Sequence, residues 1–293
     1  MSTRSLPDAV AAFEPELPLA VALSGGADST ALLLACARRW PGEVVAIHVH
    51  HGLQAAADDF ERHCAALCRD ISVPLRVRHV DARHAAGESP EDAARMARYR
   101  AIDAAVRSDD GGILFPAVAL AQHADDQAET VLLALSRGSG VAGLAAMGDR
   151  SQHADIVFGR PWLGVRQSLL RAYVSEQGLA FIDDPTNADT RFTRNRLRHD
   201  LMPVMTRAFP SMVEALGRTA RHCAEANQLL QALAQQDLLT AGQPPKLAQV
   251  QSLPAARQAN LLRQWLVEEA GRAPSTAQLD ELRKQIAAAT TRG

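Results

Sequence analysis

The stretch that decides the fold is Leu19-Ala20-Val21-Ala22-Leu23-Ser24-Gly25-Gly26-Ala27-Asp28-Ser29-Thr30, which leads into an apolar run over residues 31–36. Its apolar residues have the length of a strand, stop at a hydroxyl and two glycines, and resume with helical spacing. This pattern predicts a strand, a tight loop and a helix start. The glycines let the backbone approach a phosphate closely, and the helix N-terminus attracts negative charge. The stretch is therefore predicted to bind pyrophosphate.

The loop differs from two better-known phosphate loops. A Walker A loop ends in Gly-Lys-Ser/Thr and a dinucleotide-binding loop reads G-x-G-x-x-G, whereas residues 24–29 read Ser-Gly-Gly-Ala-Asp-Ser. This pattern resembles the signature of the PP-loop ATP pyrophosphatases. These enzymes split ATP between its α and β phosphates and transfer AMP to an oxygen of a substrate. The alternative is an ordinary strand-to-helix turn in which Asp28 only caps the helix.

Length and composition favour a globular protein of about two domains. The 293 residues are 47% hydrophobic and 22% charged, without an apolar stretch long enough to cross a bilayer. The first residues lack the apolar core of a secretory signal, so a cytoplasmic location is predicted. The net charge of −2 means that nucleic-acid binding would need a local basic patch.

The four cysteines, at positions 36, 64, 68 and 223, are predicted to be reduced thiols. Cys64 and Cys68 are four residues apart in an apparent helix, and no second Cys or His pair follows at ligand spacing. Burial as small apolar residues is the expected role. The sequence therefore predicts no zinc site and no iron–sulphur cluster.

Strands and helices alternate over the first part of the chain. Strands are predicted near residues 19–23, 43–52, 74–80 and 113–121, and helices near 29–40, 57–70, 89–108 and 125–137. Such alternation predicts an α/β fold with a parallel sheet and helices on both faces. Later segments are predicted to be helical, at 165–177, 192–205, 211–239, 253–270 and 275–289. We therefore predict a catalytic domain over 1–208 and a smaller all-α domain over 209–293, whose continuation beyond residue 293 stays open.

Polar residues follow three predicted strands, at 24–28, 48–51 and 122–126. The carboxyl ends of parallel strands meet at one edge of a sheet, where ligands bind. These residues are therefore expected to share one crevice. The alternative for His48 and His51 is that they are solvent-exposed residues at a strand end.

Two charged motifs add to this picture. Asp126 and Glu129 are three residues apart at a helix start, so they share a face that suits Mg²⁺ or an ammonium group. The alternative is that both acids only complement the helix dipole. Four arginines lie within residues 191–198, a density that suits phosphates of ATP or RNA, although a solvated helix face stays open.

Together the motifs resemble those of the tRNA(Ile)-lysidine synthase family of PP-loop enzymes. The matching segments, in chain order, are 24–29, 48–53, 94–99, 123–130, 137–140, 160–163, 184–187 and 194–199. Two positions depart from the pattern: His50 stands where an asparagine is usual, and Gln122 where a histidine is usual. Both are expected at the edge of the site.

The resemblance implies a ligase that forms a C–N bond. ATP and Mg²⁺ would activate C2 of the wobble cytidine in the CAU-anticodon tRNA(Ile) as an adenylate, and free lysine would displace AMP. The product, lysidine, would change decoding from AUG to AUA. The target base would be unstacked into the crevice. A homodimer stays open.

The resemblance also implies site residues. The catalytic residues would be Asp28, Asp126, Glu129 and Arg194. ATP would be bound by Ser24, Gly25, Gly26, Ala27, Asp28, Ser29, Thr30, His48, His51 and His123. Lysine would be bound by Asp126 and Glu129, and tRNA or phosphate by Arg95, Arg98, Arg194, Arg196 and Arg198. Mg²⁺ would be bound by Asp28 and Asp125.

Other readings compete with this one. A tRNA thiolation enzyme of the same fold would normally carry a Cys-x-x-Cys pair or a catalytic cysteine near the sheet edge, whereas Cys64 and Cys68 have another spacing. A glutamine-dependent amidating ligase needs a glutaminase domain that this length does not hold. An RNA-binding module without turnover is disfavoured by the intact motifs at 24–29 and 125–129.

Overall fold

The computed structural model describes residues 6–50, 57–80, 90–108 and 111–289, and no side chain over 90–95. The strands are β1 (Leu19–Ala22), β2 (Val44–His50), β3 (Leu75–His79), β4 (Ala117–Ala119), β5 (Arg150–His153) and β6 (Ile156–Gly159). The first helices are α1 (Leu6–Ala11), α2 (Ala27–Arg39), α3 (Ala57–Asp70), α4 (Pro90–Ala105), α5 (Ala124–Ser136), α6 (Val141–Leu144) and α7 (Gln167–Glu176). The later helices are α8 (Thr193–Arg196), α9 (Met202–Ala208), α10 (Met212–Ala241), α11 (Leu247–Ser252), α12 (Ala255–Ala270) and α13 (Thr276–Ala288).

The described strands form one sheet in the order β3-β2-β1-β4-β6-β5. All neighbouring pairs are parallel except β5 with β6, which are antiparallel. The predicted parallel α/β sheet is thus confirmed, with an antiparallel edge that was not predicted. The strand expected over 113–121 is confined to Ala117–Ala119. Pro116, which has no N–H to donate, directly precedes it and accepts a bond from the Val157 N–H through its carbonyl.

Both faces of the sheet are covered, as predicted. Leu19 and Val21 of β1 belong to a core with apolar residues of α2, α3 and α7, while Ala20 belongs to a second core that includes Ile102 of α4. This division follows from the alternation of side chains along a strand. All three β1 residues are completely buried. β1 is therefore rigidly held at the point where the phosphate loop begins.

Cα packing divides the chain into two compact units, residues 1–138 with 146–220 and residues 139–145 with 221–293. The second unit is helical and has its own core, formed by Leu238, Val250, Leu261, Leu262 and Leu279 among others. A buried Asp237 in it pairs with Arg257. No helix in the described part of the chain is both long enough and apolar enough to cross a membrane.

Two predicted helices are interrupted at prolines. The helix expected over 253–270 begins at Ala255 because Pro254 occupies its N-cap, and α11 precedes it. The helix expected over 192–205 becomes α8, a π-helical turn over Leu197–Leu201, and α9. Pro203 lies in the first turn of α9 and cannot donate a backbone hydrogen bond to the preceding turn. The π-helical turn over Leu197–Leu201 follows from that missing N–H donor.

Candidate functional site

The phosphate loop has the predicted strand, loop and helix arrangement. β1 ends at Ala22 and α2 begins at Ala27, with Gly25 at φ +90° between them. A Cβ at Gly25 would lie 3.2 Å from the Cys64 sulfur, so a side chain there would be both strained and crowded. Ser29 pins the loop: its Oγ accepts from the Ser24 N–H at 3.1 Å and donates to the Gly26 carbonyl at 3.0 Å.

The loop opens on a crevice of about 640 Å³ at the carboxyl edge of the sheet. The predicted site residues that line it are Ser24, Gly26, Ala27, Asp28, Ser29, His48, Arg98, His123, Asp126, Arg194 and Arg198. The segment between α7 and α8 forms part of another wall through Ile182, Asp183, Asp184, Thr186 and Asn187, and the Ile182 N–H donates to the Gly25 carbonyl at 3.0 Å. The three polar strand ends therefore share one crevice, as the sequence predicts.

His123 connects the loop to α5. It is the N-cap of α5, where its Nδ1 accepts from the Asp126 N–H at 3.3 Å and its own N–H donates to Asp126 Oδ2 at 3.1 Å. Its Nε2 lies 3.5 Å from Asp28 Oδ2 and 3.4 Å from Asp126 Oδ2. One imidazole thus bridges two carboxylates that belong to different elements.

The surroundings shift the pKa values of both His123 and Asp28. Burial would lower the pKa of His123, but the hydrogen bond to Asp28 and the charges of Asp126 and Asp125 outweigh it, so that pKa lies above its usual range. Burial would raise the pKa of Asp28, but His123 and the Gln167 amide, 3.1 Å from Oδ2, hold it below its usual range. Among the described residues, Asp28 Oδ1 is buried without a hydrogen-bond partner.

Glu129 is held differently. It is 1% exposed, and Arg198 grips it with Nε at 2.7 Å from Oε1 and Nη2 at 2.9 Å from Oε2. The Nε of Arg194 lies 3.1 Å from Oε2, and its Nη2 donates to Thr130 at 2.7 Å. Burial raises the pKa of the Glu129 carboxyl, and the arginines oppose that rise. The carboxylate is therefore buried with two guanidinium groups beside it.

The arginine run divides into two sets. Arg194 and Arg198 are four residues apart, contact α5 and line the crevice. Arg196 is exposed, and Arg191 is exposed in a pair with Asp189. The phosphate-binding interpretation thus suits Arg194 and Arg198, whereas a solvated face describes Arg191.

Asp125 lies outside the crevice lining. Its carboxylate accepts from Arg166 Nε at 3.1 Å and from the Gln167 N–H at 2.9 Å. Arg166 also pairs with Glu214 at 3.1 Å. That Asp125 and Asp28 share a magnesium ion stays a prediction, and the oxygens of Asp125 already accept hydrogen bonds from Arg166 and the start of α7.

The remaining predicted ATP-binding and tRNA-binding residues are either buried or outside what the structure describes. His48 is buried, with Nδ1 2.8 Å from the Leu23 carbonyl, and burial lowers its pKa. Its Nε2 is also buried without a hydrogen-bond partner in the described part of the chain. Thr30 is fully buried in α2. His51 and the side chain of Arg95 lie outside what the structure describes.

Several residues that line the crevice were not predicted as site residues from the sequence, and two of them lie on α7. Gln167 and Arg171 lie four apart on α7 and line it, and Arg171 pairs with Asp183 at 2.5 Å. The only sequence signal was the amphipathic pattern of that helix. A polar pair at i and i+4 next to a helix start could have drawn attention to it.

The chain matches known proteins in sequence over most of its length. A family model described as a PP-loop domain matches residues 3–205, and one described as a TilS substrate binding domain matches residues 246–293. A tRNA(Ile)-lysidine synthase from Polaromonas naphthalenivorans is 54% identical over 94% of this chain and 83% of that protein. Those from Burkholderia pseudomallei and Pseudomonas aeruginosa are 42% and 44% identical over 96% and 84% of this chain. The chain spans only 58% of each of these two relatives.

The fold is similar to that of a solved structure. The U34-tRNA thiolase NcsA from Methanococcus maripaludis matches with a TM-score of 0.59, over 71% of each chain, at 14% identity. An identity that low supports similarity of fold alone.

Proposed function

The chain belongs to the tRNA(Ile)-lysidine synthase family, and from this premise we propose that it ligates lysine to the wobble cytidine of a CAU-anticodon tRNA(Ile). ATP is the substrate that a PP-loop enzyme of this family uses. One observation carries the proposal: the pyrophosphate loop and the acidic start of α5 line the same crevice. A nucleotide and an amino acid can therefore meet there. A cytoplasmic location and a homodimer stay predictions.

The proposed reaction has two steps. The O2 atom of cytidine attacks the α-phosphorus of ATP, a new P–O bond forms, and pyrophosphate leaves. The ε-nitrogen of lysine, after losing a proton, then attacks C2; the C–N bond forms, the C2–O bond breaks, and AMP leaves. Base O2 is a poor leaving group until it is adenylated, so the loop must first bind and orient ATP.

The residues fit a magnesium ion. Asp28 contributes a buried carboxylate oxygen without a hydrogen-bond partner among the described residues, and Asp126 adds a second carboxylate next to it through His123. Hard oxygen ligands of this kind suit Mg²⁺. We propose that Asp28 and Asp126 hold the ion, which would offset negative charge on the phosphates. Asp125 is a weaker choice because Arg166 and the α7 backbone occupy its oxygens.

Lysine recognition is proposed to lie at Asp126 and Glu129. Both are on one face of α5, and Arg198 contacts both, at 3.4 Å from Asp126 Oδ1. An incoming ammonium group would compete with Arg198 for these carboxylates in a partly desolvated crevice, where charge pairing discriminates better than in water. Once the ammonium group takes the place of the guanidinium groups at Glu129, Arg194 is available to bind a phosphate.

The helical region is proposed to recognise tRNA. The substrate-binding family model falls on residues 246–293, inside the all-α domain expected over 209–293. Arg95, Arg98 and Arg196 are proposed to contact the tRNA backbone. Because the whole molecule is slightly acidic, such contacts must be local.

Lysine incorporation tests the proposal directly. The protein is incubated with ATP, radiolabelled lysine and a mixed tRNA pool, and labelled tRNA is separated by anticodon. We expect label only in tRNA with a CAU anticodon, together with release of AMP. Label in other tRNAs, or AMP release that does not depend on lysine, would contradict the proposal.

Thiolation is the alternative that shares the fold, and the thiols argue against it. Burial raises the pKa of Cys64 to about 12 and that of Cys68 to about 11, so neither is a thiolate at neutral pH. Both cysteines are packed in the core, as the sequence predicts. Incorporation of labelled sulfur instead of lysine in the same assay would favour thiolation.

A further inference from the structure

A cluster of histidines and carboxylates lies at the rim of the crevice, where β2 and β3 end. His50 and His79 are register partners in these parallel strands, so their side chains lie on the same face of the sheet. Their ring centroids are 4.7 Å apart. The sequence analysis predicted no zinc site and did not predict that the two imidazoles meet, because 28 residues separate them in sequence.

The helix that packs on this face contributes two acids. Asp58 and Glu61 are three residues apart in the first turns of α3, so they project from one side of it. Asp58 Oδ1 lies 2.9 Å from His50 Nε2, and Glu61 Oε2 lies 2.9 Å from His79 Nε2. One nitrogen of each imidazole and one oxygen of Glu61 all lie within 4.8 Å of one another. Three separate elements thus bring four metal-ligating groups together.

We propose that His50, Glu61 and His79 bind a zinc-class divalent cation, with Asp58 as the fourth ligand. Two imidazoles with one or two carboxylates form a ligand set that suits Zn²⁺ and neighbouring transition metals rather than Mg²⁺. Ligands at 2.0–2.1 Å around a tetrahedral ion lie about 3.3 Å from one another. The ligand atoms of His50, Glu61 and His79 already lie within 4.8 Å of one another, and Asp58 Oδ1 lies 2.9 Å from His50 Nε2.

The cluster combines two imidazoles with two carboxylates, a set of groups that suits a divalent cation. Neutral imidazoles bind a cation through their lone pairs, and the ion then offsets both carboxylates at once. His79 is 65% exposed and Asp58 is 80% exposed, so an ion can enter from solvent.

The position of the site gives it a structural consequence. His50 lines the same crevice as the phosphate loop, and α3 also supplies Cys64, which packs under Gly25. A cation that joins β2, β3 and α3 would hold this wall in place. The proposal does not depend on which tRNA or amino acid the enzyme uses.

Zinc titration tests the site. Protein treated with EDTA and dialysed is titrated with ZnCl₂ by calorimetry, at a pH above the ordinary imidazole pKa of about 6.5. The variants are His50→Asn and His79→Gln. The matched control is His222→Gln, which removes an exposed histidine that also pairs with a glutamate, at 3.7 Å, but on a single helix.

We expect one zinc ion per chain in the parent protein and in His222→Gln, with affinity at least about tenfold weaker in His50→Asn and His79→Gln. Zinc should also raise the unfolding midpoint of the parent protein but not of these two variants. Unchanged affinity in both variants, or no saturable binding by the parent, would overturn the proposal. If either histidine variant fails to fold by circular dichroism, Glu61→Gln replaces it and must show the same loss.

Discussion

Two acids on one helix face, Asp126 and Glu129, have different surroundings. Asp126 has a contact of 3.4 Å with Arg198 and is bridged by the His123 imidazole to Asp28, whose Oδ1 is buried without a hydrogen-bond partner among the described residues. Glu129 is 1% exposed and is held by two arginines from the segment that follows the catalytic sheet. Asp28 therefore retains a carboxylate oxygen without a partner among the described residues, whereas both carboxylate oxygens of Glu129 are bonded to Arg198. We infer that ligand chemistry centres on Asp28 and Asp126, and that Glu129 becomes available only when Arg198 moves.

The largest expected effect is on stability, and it contrasts two arginines of one segment. Arg198→Ala should lower the free energy of unfolding by about 3–5 kcal/mol, because it leaves the buried Glu129 carboxylate with only Arg194 beside it. Arg196→Ala should change that free energy by less than about 0.5 kcal/mol, since Arg196 is exposed. Urea unfolding of both variants measures the difference.

The same two variants, Arg198→Ala and Arg196→Ala, separate a structural role from an RNA-binding role. Arg196→Ala should reduce the slope of log tRNA affinity against log salt by about 1, since one fewer counterion is released. Equal unfolding free energies for the two variants would mean that the arginine pairing with Glu129 does not stabilise the fold. An unchanged salt slope would leave Arg196 as part of a solvated surface.

Asp28→Asn should reduce ATP-dependent activity by about 10²–10³-fold, the size seen when one electrostatic contact to a developing charge is lost. The amide keeps the shape and removes the charge of the proposed metal ligand. Pyrophosphate release gives the rate, and filter binding should show tRNA affinity within about twofold of the parent. The control is Asp59→Asn, an exposed acid paired with Arg62 on α3. Parallel loss of tRNA binding in Asp28→Asn would contradict the assignment.

Glu129→Gln tests whether the carboxylate that is paired with Arg194 and Arg198 takes part in lysine binding. We expect the lysine KM to rise about tenfold to a hundredfold, because a charge-assisted hydrogen bond contributes about 1.5–3 kcal/mol. The ATP KM should stay near normal. Glu214→Gln is the matched control, since Glu214 also pairs with an arginine but lies outside the crevice lining. If ATP or Mg²⁺ affinity falls while lysine dependence is unaltered, Glu129 belongs to the nucleotide site.

Local parts of the site could be predicted from the sequence. The strand, loop and helix around Gly25 follow from apolar spacing and glycine position, and the shared face of Asp126 and Glu129 follows from helical periodicity. The partner of Glu129 could not, because Arg198 is 69 residues away and only the folded chain brings it there. The β5–β6 hairpin was missed for another reason: Arg150–His153 is polar and lacks the alternation that marks a half-buried strand.

The smallest expected effect concerns the imidazole that bridges Asp28 and Asp126. His123→Asn keeps a good N-cap for α5 and removes the titrating imidazole. The pH dependence of the stability difference between the parent protein and this variant therefore reports the charge of His123. The pKa of His123 lies above its usual range because of the nearby carboxylates. A raised pKa in the folded state stabilises the protein below about pH 6.5, the ordinary imidazole value, and this contribution is lost as pH rises through the folded pKa.

The free energy of unfolding of the parent protein should therefore exceed that of His123→Asn most clearly near pH 6, and the difference should shrink as the solution becomes alkaline. Asp28 follows the opposite rule: its lowered pKa stabilises the fold above its ordinary value near 4 and loses that effect in stronger acid, so the comparison is made above pH 5. Urea unfolding across this range measures both proteins. A difference that stays constant, or grows with pH, would mean that His123 acts only as a neutral cap and that the carboxylates around it do not hold its proton.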